Sequence, residues 1–238
     1  MTYGKLIVVG GNDGAGKRTQ SKLLAERLES AAALEGRAIH WLSFPLYDTF
    51  WGKMVGRYLG KPEFGEPLPE NLCSDPYQAA MLYELDRRAA LPEMRIWLQN
   101  GDWIVCDRYT ESNLAHQTAK FNRDWDQDLF LDGLVYLQHN FLLLPRPDLT
   151  IILSLPQDIR DRRVETRRVA DKSISGQVSA VDRHEQDRPY MEKVNSFYPE
   201  LAKKFNWPVI NCAPEQTQLS VDDVHQAVWQ LVAKMFNL

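Results

Sequence analysis

Cysteine is scarce in this chain. Cys73, Cys106 and Cys212 are spread over 238 residues with no CxxC pair among them. That excludes a disulfide framework and a thiolate zinc site, and it fits a reducing compartment. Long apolar runs are missing as well: stretches such as 141–144 fall far short of the roughly 20 residues that a membrane span requires. The N-terminus shows no basic start followed by a cleavable apolar run. The expectation is a soluble, untargeted, cytoplasmic protein with no membrane partner. Positive charge is not in excess either, with 28 Lys and Arg against 32 Asp and Glu. A net charge of −4 gives no general field for a polyanion, so nucleic acid is not an expected partner, while small anionic ligands remain open.

Hydrophobic residues make up 44% of the chain, enough to bury one sizeable core, and the length fits a single domain over 1–238. Residues 5–9 read as a buried strand, followed by a glycine-rich turn and a helically periodic run from Arg18 to about Ala33 in which Leu23, Leu24 and Leu28 share a face. Further short apolar runs at 38–44, 103–106, 149–153 and 208–210 are separated by long helically patterned segments. Such alternation predicts a parallel sheet of about five strands flanked by helices. Two proline-rich places, 61–69 and 145–147, read as loops. Ligands of such sheets bind at the carboxyl ends of the strands, which directs attention to Asp107 at the end of the run 103–106.

The turn after the first strand reads Gly11-Asn12-Asp13-Gly14-Ala15-Gly16-Lys17. A glycine-rich loop ending in lysine, placed between a strand and a helix, is the context of a P-loop. Its backbone N–H groups cradle phosphate, the helix N-terminus adds partial positive charge, and the lysine reaches the β- and γ-phosphates. The fold class expected is therefore a three-layer α/β fold of the P-loop NTPase type. Where the pattern calls for a Mg²⁺-binding Ser or Thr stands Arg18, followed by Thr19. A guanidinium cannot coordinate a metal, so carboxylates, water and phosphate must hold it, with Asp13 and Asp107 the candidates.

Five motifs in order, Asp13 to Gln20, Phe44-Pro45-Leu46-Tyr47, Leu85-Asp86-Arg87, Asp107-Arg108-Tyr109 with Ser112-Asn113, and Asp182-Arg183-His184-Glu185, resemble those of the thymidylate kinase family. The resemblance spans about 5–205. It implies transfer of the γ-phosphoryl group of ATP to dTMP with Mg²⁺ present, and a homodimer, for which 125–144 offers an apolar helix. It implies ATP on Asn12, Asp13, Gly14, Ala15, Gly16, Lys17, Arg18 and Thr19. By the same resemblance Asp13, Phe44, Tyr47, Tyr83, Arg87, Arg108, Asn113 and Gln117 bind dTMP, and Asp13, Asp107 and Glu185 serve the metal. Lys17, Arg108 and Asp13 are the expected catalytic residues, joined by Arg163 and Arg167.

The residue types suit these roles. Tyr83 and Arg87, four apart on a predicted helix, present a ring for stacking and a rigid fork for a base carbonyl. Without the resemblance, Tyr83 reads equally well as core and Arg87 as a surface charge. Asn113 and Gln117, again four apart, offer amides to the base edge, and Phe44 can lie over a base. Arg160, Arg162, Arg163, Arg167 and Arg168 crowd a stretch where like charges at i, i+4 repel by roughly 0.2–0.5 kcal/mol per pair, which suggests an arriving anion. With the polar run 170–180 they resemble a mobile lid over about 160–183. Since Gly14 stands where one branch of the family has arginine, the lid must supply that charge. His116 and His184 replace common tyrosines, which leaves discrimination between ribose and deoxyribose open. Two rival readings are another P-loop nucleotide or deoxynucleoside kinase and a nucleotide-binding regulator without turnover.

Overall fold

Buried strands in the middle of the chain fix the architecture. A computed structural model describes residues 3–32, 36–122, 124–156, 158–159, 162 and 183–238. Strand β1 (Lys5–Gly11) is followed by α1 (Lys17–Ala32), β2 (Ile39–Ser43), α2 (Phe50–Tyr58), the short α3 (Glu70–Ser74) and the long α4 (Pro76–Asn100). Then come β3 (Trp103–Asp107), α5 (Thr110–Thr118), α6 (Asp124–Tyr136) with a π-helical turn at Leu137–Phe141, and β4 (Leu149–Ser154). The last described elements are α7 (Arg183–Gln186), α8 (Arg188–Phe205), β5 (Val209–Asn211) and α9 (Val221–Phe236).

The five strands form one sheet in the order β2-β3-β1-β4-β5, and every neighbouring pair is parallel. The expected sheet is therefore present, with strand boundaries shifted by a residue or two. Both faces are covered, which is why β1 and β3 read as continuous apolar runs rather than alternating ones. On one face Ile7, Val9, Val105 and Ile151 pack with Leu24 and Leu28 of α1 and with Val224, Val228 and Val232 of α9. On the other, Leu6, Val8, Ile104 and Cys106 pack with Leu91, Met94 and Leu98 of α4. Full burial of each such aliphatic chain contributes roughly 1.5–3 kcal/mol.

Helix α4 shows why its ends fall where they do. The Asp75 carboxylate accepts from the N–H groups of Tyr77 (2.7 Å) and Gln78 (3.1 Å), Pro76 occupies the first turn, and Gly101 takes the left-handed conformation past the last turn. The register sets the positions of the functional residues. Val9 pairs with Asp107, and Asp107 in turn with Ser43. The carboxyl ends of β1, β2 and β3 thus meet, and the loops leaving them share one rim.

Candidate active site

Three glycines with positive φ, Gly11 (118°), Gly14 (79°) and Gly16 (90°), let the loop after β1 wrap back on itself. A Cβ at Gly11 would lie 2.1 Å from the carbonyl oxygen of Leu153, so only glycine fits beside β4. Asn12 N–H donates to that same oxygen (3.1 Å). The loop delivers Lys17 to the first residue of α1, where its ammonium is buried and donates to the Asn12 carbonyl (2.7 Å) and to Asp13 Oδ1 (3.1 Å). Burial and the nearby Arg108 depress the Lys17 ammonium to about 8, against the pull of Asp13 and Asp107.

Arg108 follows β3 with φ 62°, a left-handed conformation uncommon for a residue bearing a side chain. Its N–H donates to the carbonyl of Val9 (3.2 Å), and its guanidinium is hydrogen-bonded to Asp13 Oδ1. Burial alone would raise the Asp13 carboxyl, but Arg108 and then Lys17 hold it well below the carboxylate range. The structure thus brings Asp13, Lys17 and Arg108 together at the loop. Asp107, just before Arg108, is buried and accepts from Ser43 Oγ through Oδ2 (2.9 Å). Among the described residues no group of three or more His, Cys, Asp and Glu converges on a point. The chemistry here suits Mg²⁺, which takes one or two carboxylates and fills its remaining positions with water and phosphate. The expected metal role of Glu185 concerns a side chain outside those described.

Arg18 is brought elsewhere. Its side chain is exposed, with the guanidinium 5.7 Å from the ring centroid of Trp41, beside Lys22 Nζ at 4.9 Å from the same ring. The side chain thus rests on the outer surface between α1 and β2 rather than over the loop that carries Lys17. Thr19 is likewise exposed on α1. Arg163 and Arg167, with most of the expected lid, lie outside the described residues. Arg162, which is described, is exposed and pairs with Asp158 (2.8 Å).

The second half of the site lies between α4 and α5. Arg87 is only 2% exposed, so it is not a surface charge. It donates to the carbonyls of Tyr83 (2.8 Å) and Tyr109, its guanidinium lies 5.8 Å from the Phe44 ring and 5.9 Å from the Tyr83 ring, and its Nε has no partner. Phe44 is buried against Tyr109. Asn113 and Gln117 lie one turn apart on α5, both buried. Oδ1 of Asn113 and both polar atoms of the Gln117 amide are buried without hydrogen-bond partners, an exception to the rule that interior polar groups are paired. Tyr47 stacks on Phe64 (5.1 Å) with Lys61 Nζ 4.7 Å from its ring.

An aromatic wall joins the two halves. Tyr83 meets Tyr58 (5.6 Å between centroids), Tyr58 meets His184 (5.4 Å), and His184 meets His116 (5.7 Å) and Tyr190 (4.9 Å). Burial pushes the His116 imidazole down to about 3 and holds His184 well below its usual value, so both rings are neutral at physiological pH.

Several contributing residues fall outside the quoted motifs, Asp86 of Leu85-Asp86-Arg87 excepted. Glu84, Asp86, Glu111 and Gln138 are all at most 1% exposed. Asp86 accepts from Leu46 N–H (3.1 Å), and Glu111 accepts from Tyr109 N–H (2.9 Å) and Ser112 Oγ (2.9 Å). Glu84 and Arg87 were detectable by spacing. Ala80, Glu84, Arg87, Leu91, Met94 and Leu98 recur at i+4 and i+3 steps, which sets two charges on the buried face of α4.

A family model described as thymidylate kinase matches residues 9–228. A thymidylate kinase of Mycobacterium tuberculosis is 28% identical over 204 residues, covering 83% of this chain and 85% of the relative. A Pyrococcus abyssi protein named "Probable thymidylate kinase" is 30% identical over 232 residues, covering 96% of each. Among solved structures, thymidylate kinase from Candida albicans superposes with a TM-score of 0.67 at 22% identity, covering 98% of this chain and 92% of that one.

Proposed function

The chain belongs to the thymidylate kinase family, and from that membership we propose that it transfers the γ-phosphoryl group of ATP to dTMP, giving dTDP and ADP. It is a nucleoside-monophosphate kinase, a phosphotransferase. The observation that carries the reading for this chain is the pairing of two half-sites. The Lys17–Asp13–Arg108 cluster at the glycine loop suits phosphate, and the unpartnered amide atoms of Asn113 and Gln117 suit the edge of a base.

Phosphoryl transfer asks the protein for in-line positioning, neutralised charge and exclusion of water, with little covalent work. The loop N–H groups and Lys17 bind the donor's β- and γ-phosphates, and Arg108 turns from Asp13 to the acceptor phosphate. Tyr83 and Phe44 hold the base, Arg87 offers its unpaired N–H groups to a base carbonyl, and Asn113 and Gln117 meet the adjoining edge. Tyr47 and the arginines Arg163 and Arg167 are assigned to phosphate on the family resemblance. No general base is needed, because the nucleophile is an ionised phosphate oxygen, and the neutral histidines fit that. Asp107, with Asp13 and Glu185 near by in the family pattern, would hold Mg²⁺ through water. When bound, that ion would supply charge neutralisation to the transferring phosphate. We take the chain as one kinase domain over 1–238 that works as a homodimer.

A coupled ADP-release assay with ATP and Mg²⁺ against dTMP, dUMP, UMP, CMP and thymidine tests this. Selectivity for dTMP is the expected result. Preference for UMP or thymidine would overturn the substrate, and silence on all five would favour a regulator without turnover.

A further inference from the structure

Asn113 cannot rotate its amide freely. Its Nδ2 donates to the carbonyl of Ala80 (3.0 Å) and to Glu84 Oε1 (2.6 Å), and both of those are acceptors. A flipped amide would set Oδ1 against two oxygens and leave both N–H groups of Nδ2 without those acceptors. In the observed orientation Oδ1 is buried, unpartnered and turned away from both.

The acceptor that enforces this is itself held. Glu84 is fully buried, and its Oε1 also accepts from Gln138 Nε2 (2.7 Å), whose other contact is the carbonyl of Thr110 (3.4 Å). Gln138 is fully buried in the π-helical turn Leu137–Phe141, which seats it opposite α4. Burial raises the Glu84 carboxyl despite the neighbouring Arg87. Its Oε1 accepts in either protonation state, so the orientation of Asn113 does not depend on that proton.

We propose that Glu84 and Gln138 are positioning residues that lock the Asn113 amide with Oδ1 turned away from the acceptors on α4, so that the acceptor site takes a pyrimidine bearing N–H at N3 and refuses one with a bare N3. The proposal rests on reading this pocket as the base site. Uracil and thymine present N3–H to Oδ1, and the Gln117 amide, one turn along, meets a flanking carbonyl. Cytosine would set its N3 lone pair against Oδ1, an unpaired contact between two buried acceptors, and sites built on hydrogen bonds discriminate strongly against such mismatches.

The test compares kcat and KM for dTMP, dUMP and dCMP in the full-length protein and in Glu84→Met, Gln138→Leu and Glu84→Gln, with Tm measured for each. The ratio of kcat/KM for dUMP to that for dCMP removes the 5-methyl group from the comparison. Glu84→Met and Gln138→Leu are each expected to lower that ratio about tenfold, mainly through a higher KM for dUMP, with kcat changing less than about threefold. Glu84→Gln keeps a carbonyl oxygen for both amides and should retain the wild-type ratio. Equal losses on all three nucleotides, or an unchanged ratio in whichever of the two disruptive variants folds, would overturn the positioning role. A wild-type protein that does not prefer dTMP and dUMP over dCMP would instead overturn the base-site reading.

Discussion

The guanidinium of Arg18 lies over the indole of Trp41, 5.7 Å from the ring centroid, on a surface that also carries Lys22. In sequence this arginine occupies the place of a metal-binding hydroxyl; in the fold its side chain leaves the phosphate loop altogether. Trp41 is itself fixed by an indole N–H bond to Ser21 Oγ (3.0 Å), so the ring is a prepared platform for the cation.

Arg18→Ala should therefore leave kcat and KM for ATP and dTMP within about twofold of wild type. An exposed cation–π contact is worth about 0.5–1 kcal/mol, which in a chain of this length corresponds to a Tm lower by about 1–4 °C. Kinetics and thermal melting on one preparation check both halves, and a turnover loss of tenfold or more would return the side chain to the phosphate site.

Lys17 gives the activity a basic limb. Burial and Arg108 hold its ammonium at about 8 in the free protein, so kcat/KM for ATP should fall as pH rises through that value. Stability moves the other way. Between about 8 and the usual 10.5 the unfolded chain binds a proton that the native chain has released, so unfolding free energy rises with pH in that window. Lys17→Met should reduce that rise in urea titrations at graded pH, leaving the share of Lys120, whose ammonium burial also lowers to about 8.

Gln117 buries two unpartnered amide atoms. Leaving buried polar groups unsatisfied costs about 1–3 kcal/mol, so Gln117→Leu is expected to raise the Tm by a few degrees while raising KM for dTMP about tenfold or more. A variant that is less stable, with KM unchanged, would make the residue ordinary core.

Asp86 contributes to stability in the acid range only. Burial lifts its carboxyl to about 6, against Arg87 and the Leu46 N–H group. The native state therefore holds the proton more tightly than the unfolded chain between the usual 3.8 and about 6. Stabilisation from this group is complete below 3.8 and is lost as pH rises through 6. Asp86→Asn carries no such proton, so its unfolding free energy should gain on wild type by on the order of 2 kcal/mol from pH 4 to pH 7. Urea midpoints across that range provide the comparison.

Local chemistry made much of this legible before any coordinates. A buried strand, a glycine turn ending in lysine and a periodic helix declare themselves within residues 5–32, because each glycine answers a backbone demand that neighbouring residues set. Asp75-Pro76 and Gly101 likewise mark the ends of α4 through capping chemistry. The direction of Arg18 was not legible, since it depends on Trp41, which a separate strand brings alongside. Nor was the role of Glu84, whose partners Asn113 and Gln138 come from α5 and the π-helical turn. Parallel sheets gather such groups from distant segments, and a side chain's orientation follows from those neighbours rather than from its own spacing. The strand ends drifted by a residue or two because a short apolar run does not say where its ladder of hydrogen bonds stops.

The glycine loop is encoded near the start of the chain, yet its shape is underwritten by later residues: Leu153 fixes Asn12, Cys212 Sγ lies 3.9 Å from the Ala15 carbonyl, and Gln20 of α1 donates to the Val221 carbonyl (2.9 Å). A ribosome that has released only the first hundred residues has therefore produced the nucleotide motif without the walls that give it form. Competence to grip a triphosphate should arrive late in synthesis, after β4 has paired with β1 and the segment leading into α9 has closed over the helix that carries Lys17.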